Sequence, residues 1–175
     1  MMDMTGMAPA LPGCLKKALG ETFMFNLEAH IFHWNVVGPT FPELHRLFEN
    51  IYYDAQYAID GIAEQIRALD VLAPQTTEEL AGACCIDIVP VADANGMVDK
   101  LCADNALVIA ALNEAQQCAE MCNRPEVANF LQERMDRHAK WGWMLKATMA
   151  AAQKGTTIRR MVLYDHKAPV PMAGM

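Results

Sequence analysis

The feature that most constrains this chain is a helical period that runs through residues 40–70. Leu44, Leu47, Phe48, Ile51, Ile59, Ile62, Ile66 and Leu69 recur at spacings that return to one face of a helix. The segment opens on Thr40-Phe41-Pro42-Glu43, where Thr40 reads as the N-cap, Pro42 sits in the tolerant first turn and Glu43 would complete a capping box. Three more segments carry the same period. The first covers residues 12–37 and stops at Gly38-Pro39. The third covers 95–123, and Arg124-Pro125-Glu126 then restarts the chain for a fourth that ends near Lys154-Gly155. Between the second and third, residues 76–91 read as a long connection holding a short helix at Thr77-Glu78-Glu79-Leu80. Only residues 84–91 are rich in β-branched side chains, and Pro90 interrupts them.

Four long helices with one extended crossover between the second and third predict an all-α, ferritin-like four-helix bundle with a short helix in the crossover. The expected organisation is a flexible N-terminal tail over residues 1–11, the bundle over 12–154 and a C-terminal tail over 155–175. At 175 residues and 53% hydrophobic content, one domain with a substantial core is the default. No apolar run approaches the ~20 residues of a membrane span. The start of the chain has no basic residue and no apolar stretch of the kind a secretory signal carries, so a cytosolic protein is expected. Its six cysteines are then expected to stay reduced, with Cys118 and Cys122 as small core hydrophobes rather than ligands. A net charge of −7 argues against the folded body as a nucleic-acid binder.

Bundle proteins that hold two metals commonly place Glu-x-x-His on two helices, and this chain has no such motif. Any metal site must be assembled otherwise. On the second helix His45, Glu49, Asp60 and Glu64 fall at offsets 0, 4, 15 and 19. They project at about 0°, 40°, 60° and 100°, one stripe of nitrogen and oxygen donors. The two pairs are roughly 22 Å apart along the axis, so one helix cannot wrap one ion with all four. Two antiparallel copies related by a two-fold axis near residues 54 and 55 can, because each pair then faces the other pair of its partner. His33, near the end of the first helix, adds an imidazole if the helical hairpin brings it beside His45. Such a mixed N/O set suits Fe(II), Zn(II), Mn(II) or Co(II) better than Cu(I). On spacing alone an acidic stripe is more often a solvated helix face, and both readings stay open at this point.

The string from His33-Trp34-Asn35 through Gly38, Phe41 and Leu44-His45 to Glu49, continued by Asp60 and Ile62-Ala63-Glu64, resembles the Dps family of starvation-induced mini-ferritins. Asn129-Phe130-Leu131, His138 and Trp143-Met144-Leu145 are similar to that family's last helix. The resemblance spans about residues 15–152. It implies a four-helix subunit assembling from two-fold dimers into a hollow dodecamer. It also implies ferroxidase sites at the dimer interfaces, holding one or two irons and open to Zn(II) in their place. His33, His45 and Glu49 match the ligands of one subunit, Asp60 and Glu64 those of its partner, and Trp34 the aromatic beside the site. The implied activity is oxidation of Fe(II), preferably by hydrogen peroxide, with ferric mineral stored inside and DNA and cell protected from oxidative damage.

Three positions depart from that pattern. Gln65 stands where Arg is usual, Asp70 where Gly is common, and Asn129 where many members carry an acidic residue near the iron-entry pore, with Glu126 close by. DNA is the less favoured partner: residues 1–11 hold Asp3 and no Lys or Arg, whereas the C-terminal stretch holds Lys154, Arg159, Arg160 and Lys167. An architectural DNA-compacting role through that tail is the alternative reading, and a shell with a purely structural zinc site is a third.

Overall fold

A computed structural model describes residues 10–82 and 84–153. They form five helices: α1 (Ala10–Asn35), α2 (Phe41–Arg67), α3 (Thr77–Ala81), α4 (Ala94–Met121) and α5 (Pro125–Gln153). No strand occurs among the described residues, and 84–91 is irregular chain. The fold is the expected ferritin-like bundle. α1 starts at Ala10 rather than at Pro12, and the rest of both expected tails (residues 1–9 and 155–175) lies outside the described residues. No helix among the described residues is long and apolar enough to cross a membrane.

The register of the bundle can be read from its polar links. Asn26 donates to the Tyr52 carbonyl and His33 meets His45, so α1 and α2 run antiparallel. Lys17 pairs with Glu114 and Lys100 with Glu28, so α1 and α4 are antiparallel too. Asn105 donates to the His138 carbonyl across the α4–α5 seam. Between these seams Phe25, Phe32, Phe48, Ile51, Leu112 and Leu145 are fully buried. Burying side chains of this size contributes about 1.5–3 kcal/mol each.

The helix ends differ in part from the sequence expectation. The capping box at Thr40 does not form: its φ/ψ of −99°/15° is not extended, and its hydroxyl makes no cap hydrogen bond. The reason is local. Pro42, at the second helical position, has no N–H, and the non-extended backbone of Thr40 does not aim its hydroxyl at the Glu43 amide. The turn is closed by the Phe41 amide on the Gly38 carbonyl, 3.1 Å. Gly38 has φ 113°, which an L side chain rarely adopts, so glycine is required by conformation there. The side-chain caps are at Thr76, accepting from the Glu79 amide, and at Asp93, accepting from the Gly96 amide.

The crossover is fixed to α1 by two devices. Glu21, buried, accepts from the amides of Cys85 (2.7 Å) and Ile86 (3.2 Å). At Gly20 a Cβ would meet the Leu80 carbonyl oxygen at 2.6 Å, so the absent side chain lets α3 approach the helix. One cysteine expectation is overturned: Cys14 of α1 and Cys118 of α4 are joined as a disulfide, with Cα atoms 6.9 Å apart. Cys118 is buried, as expected, but it is bonded across the α1–α4 seam rather than reduced.

Candidate metal centre

The α1–α2 hairpin brings His33 and His45 into contact. Their rings stack with centroids 3.7 Å apart and planes 23° apart. Nδ1 of His33 lies 2.9 Å from the His45 carbonyl oxygen, and Nδ1 of His45 lies 2.8 Å from the His33 carbonyl oxygen. A carbonyl only accepts, so each Nδ1 carries the hydrogen and each Nε2 keeps its lone pair for a ligand. The reciprocal bonds also serve the fold, because the His33 carbonyl sits in the last turn of α1, where no helix amide is left to bond it. Phe41 packs 4.9 Å from the His45 ring, and Tyr52 meets His33 edge-on at 5.3 Å. Tyr52 in turn stacks on His30 at 4.1 Å, and Trp34 also contacts His30, at 4.4 Å.

Glu49 stands one turn beyond His45 on α2 and is partly buried, whereas Asp60 and Glu64 are exposed toward the other end of the helix. The structure thus brings two of the five expected ligands into contact, sets a third one turn away and leaves two apart. Within one chain no three His, Cys, Asp or Glu groups converge on a metal-sized site among the described residues. The donor set fits a divalent ion, with presented imidazole nitrogens and nearby carboxylates, but it is divided between the two ends of α2.

What separates those ends is informative. Tyr53 and Tyr57 project at about 80° and 120° on the same scale, within or beside the donor stripe. They are 61% and 81% exposed, and Trp34 on α1 is 62% exposed. A face that exists only to meet water has no need of large aromatics between its carboxylates.

The opposite side of α2 faces inward and carries polar groups that sequence reasoning missed. Asp54, at about 180°, accepts from both terminal nitrogens of Arg134 (3.2 and 2.7 Å) and from the Trp141 indole (2.8 Å). Burial works to raise the Asp54 carboxyl, but these hydrogen bonds and the Arg134 charge overcome it and hold it below the usual range. His138, beside Arg134, is pushed down to about 4 by burial and then by the guanidinium. Deeper along the α1–α4 seam, Lys100 lies 3.2 Å from Glu28 and 2.5 Å from Asp104. Burial, then the Asp104 carboxyl, pushes Glu28 up to about 8 against the pull of Lys100. The available signal for these groups was inward-facing charge within an apolar period, at Glu28, Asp54 and Asp104.

A ferritin-like domain model matches residues 14–154, and the chain belongs to that family. An uncharacterized low temperature-induced protein of Nostoc sp. is 30% identical over 143 residues, covering 76% of each chain. DNA protection during starvation protein 2 of Bacillus anthracis is 28% identical, covering 76% of this chain and 92% of its own. Among solved structures, a Dps protein from Bacillus brevis superposes with a TM-score of 0.79 at 25% identity, covering 85% of this chain and 99% of that one. Within the ferritin-like family, this is a Dps-family protein.

Proposed function

We propose that this chain is the subunit of a cytosolic mini-ferritin that oxidises Fe(II), with hydrogen peroxide as the preferred oxidant, and stores ferric mineral in a hollow dodecamer. The observation that carries the reading is the division of the donors on α2 by an exposed aromatic face. A second copy laid antiparallel on that face covers Tyr53 and Tyr57. It also brings its own Asp60 and Glu64 to His33, His45 and Glu49, completing two sites per dimer. A related structure supports iron as the metal: a Dps protein of Vibrio cholerae is described as a member of the superfamily of ferritin-like diiron-carboxylate proteins.

Iron is the substrate here. The two Nε2 lone pairs hold the ferrous ion, and the carboxylates favour the ferric product as charge builds up. Two ferrous ions each give one electron to peroxide, and with two protons it leaves as two waters. Protection of DNA, which the Bacillus anthracis relative's name states for that protein, follows here from consuming both reactants of Fenton chemistry. Zn(II) fits the same donors and competes with iron.

The test is stopped-flow absorbance of ferric product after mixing anaerobic Fe(II)-loaded protein with peroxide. His45→Ala and Asp60→Ala variants should each be nearly inactive. Subunits of the two variants, co-refolded, should recover about a quarter of wild-type sites, because half the dimers are mixed and each mixed dimer has one intact site of two. No recovery, with mixed dimers verified by mass, would place the site within one chain and overturn the reading. The DNA-compacting alternative rests on Lys154, Arg159, Arg160 and Lys167, which lie outside the described residues. A gel-shift series across salt concentrations decides it, and absence of retardation at low salt removes it.

A further inference from the structure

The α1–α4 seam holds a constant antiparallel register. Lys17 meets Glu114, and eleven residues further along α1 Glu28 meets Lys100, with Asp104 beside it. Continued one turn toward the start of α1, the same register sets Cys14 opposite Cys118. Their Cα atoms are 6.9 Å apart, at the upper edge of what a disulfide spans. Both ion pairs lie on one side of the cysteines and neither involves sulfur, so the register they mark sets Cys14 opposite Cys118 whether or not the two are bonded. Cys14 is partly exposed and Cys118 is nearly buried, which gives one member reached by small solutes and one held behind it. Cys84, Cys85 and Cys102 carry no disulfide in the structure.

We propose that Cys14 and Cys118 are a peroxide modification site, a thiol pair that hydrogen peroxide converts to a staple between the first turns of α1 and the last turns of α4. The Cys14 thiolate attacks one peroxide oxygen, the O–O bond breaks, and hydroxide leaves and is protonated to water. Cys14 is then a sulfenic acid. The Cys118 sulfur displaces that hydroxyl, which leaves as a second water. Two thiols and one peroxide become one disulfide and two waters, with sulfur oxidised and oxygen reduced. The bond closes a loop between positions 104 residues apart, so it restricts the unfolded chain strongly while asking little movement of the folded one. This chemistry needs no iron and stands apart from the proposed ferroxidase reaction.

The experiment uses the full chain, reduced, freed of reductant and held with a chelator so that no metal contributes. It is treated with hydrogen peroxide, alkylated and mapped by mass spectrometry. Of the six cysteines, two should lose alkylation, joined as a Cys14–Cys118 peptide, and dithiothreitol should restore both. The thermal midpoint of the oxidised protein should exceed that of the reduced protein by roughly 5–10 °C. In Cys118→Ser the sulfenic acid at Cys14 should be trapped by dimedone, and the peroxide-induced rise in midpoint should vanish. Retention of all six thiols, a different pairing such as Cys84–Cys85 or a link between chains, or a Cys14–Cys118 bond that leaves the midpoint unchanged would each overturn the proposal. The wild-type measurements decide it even if a serine variant fails to fold.

Discussion

Replacing Asp54 with alanine should be among the most destabilising single changes in the bundle. Arg134 is almost fully buried and its two terminal nitrogens are both held by Asp54, while its Nε has no hydrogen-bond partner. Removing the carboxylate therefore strands a guanidinium in the interior and leaves the Trp141 N–H without its acceptor. Breaking one side of a buried ion pair costs about 3–5 kcal/mol, and the lost indole bond adds about 1. The Asp54 side chain keeps partial contact with solvent, which lets water reach the vacated space, so the expected total is about 3 kcal/mol. For a chain of this size that is a fall in thermal midpoint of roughly 6–12 °C. The assay is thermal unfolding at fixed protein concentration and pH 7 of wild type, Asp54→Ala, Arg134→Met and the Asp54→Leu/Arg134→Met double variant. The double variant should be more stable than Asp54→Ala, since it leaves no unpaired charge. An Asp54→Ala loss below about 1 kcal/mol, or a double variant as unstable as the two singles combined, would refute the argument. The pH dependence has a definite sign as well. Because the folded-state carboxyl is depressed, this stabilisation is present above the ordinary aspartate range and is lost as pH falls through the depressed value.

His138 binds its proton less readily folded than unfolded, so stability should decline as pH falls from 6.5 toward 4, by on the order of 3 kcal/mol. The difference between wild-type and His138→Gln unfolding curves across that range isolates it. Lys100→Met leaves Glu28 and Asp104 facing each other without their cation. With the Glu28 carboxyl raised, the variant should be least stable at pH 8–9, where both acids ionise, and should recover at pH 5; denaturant midpoints at the two pH values check this. Asp93→Ala, which removes the carboxylate that accepts from the Gly96 amide, should cost about 1 kcal/mol, whereas Thr40→Ala should cost only a few tenths, since its side chain caps nothing.

The helices were legible in the sequence because their evidence is local. Apolar period located α2 and α4, and Gly38, Asn123 and Pro125 marked boundaries that the structure also shows. The position of His33 beside His45 followed from a hairpin, the shortest long-range relation in the bundle. The Thr40 cap failed because residue type alone does not report whether the backbone at the cap is extended. Asp54 with Arg134, Glu28 with Lys100 and Cys14 with Cys118 pair across 80, 72 and 104 positions. Reading along one helix cannot reach such partners. It read Cys118 as a reduced core hydrophobe, because it lacked the register between α1 and α4 that sets Cys14 opposite it. That register is set by packing and could not be counted from one segment.

The connection between α1 and α2, residues 36–40, has a consequence for how this chain tolerates change. Surface loops normally absorb insertions and deletions at little cost. Here the two ring-to-carbonyl bonds lie on either side of the loop, between positions 33 and 45. One residue added inside the helix end would turn His45 by about 100° away from its partner carbonyl, and one residue lost would draw the helices out of phase in the other direction. The loop thus acts as a spacer whose length calibrates the distance between two donor nitrogens. Its tip is free to change character at Val37, exposed and without a structural task, but not in the number of residues it contains.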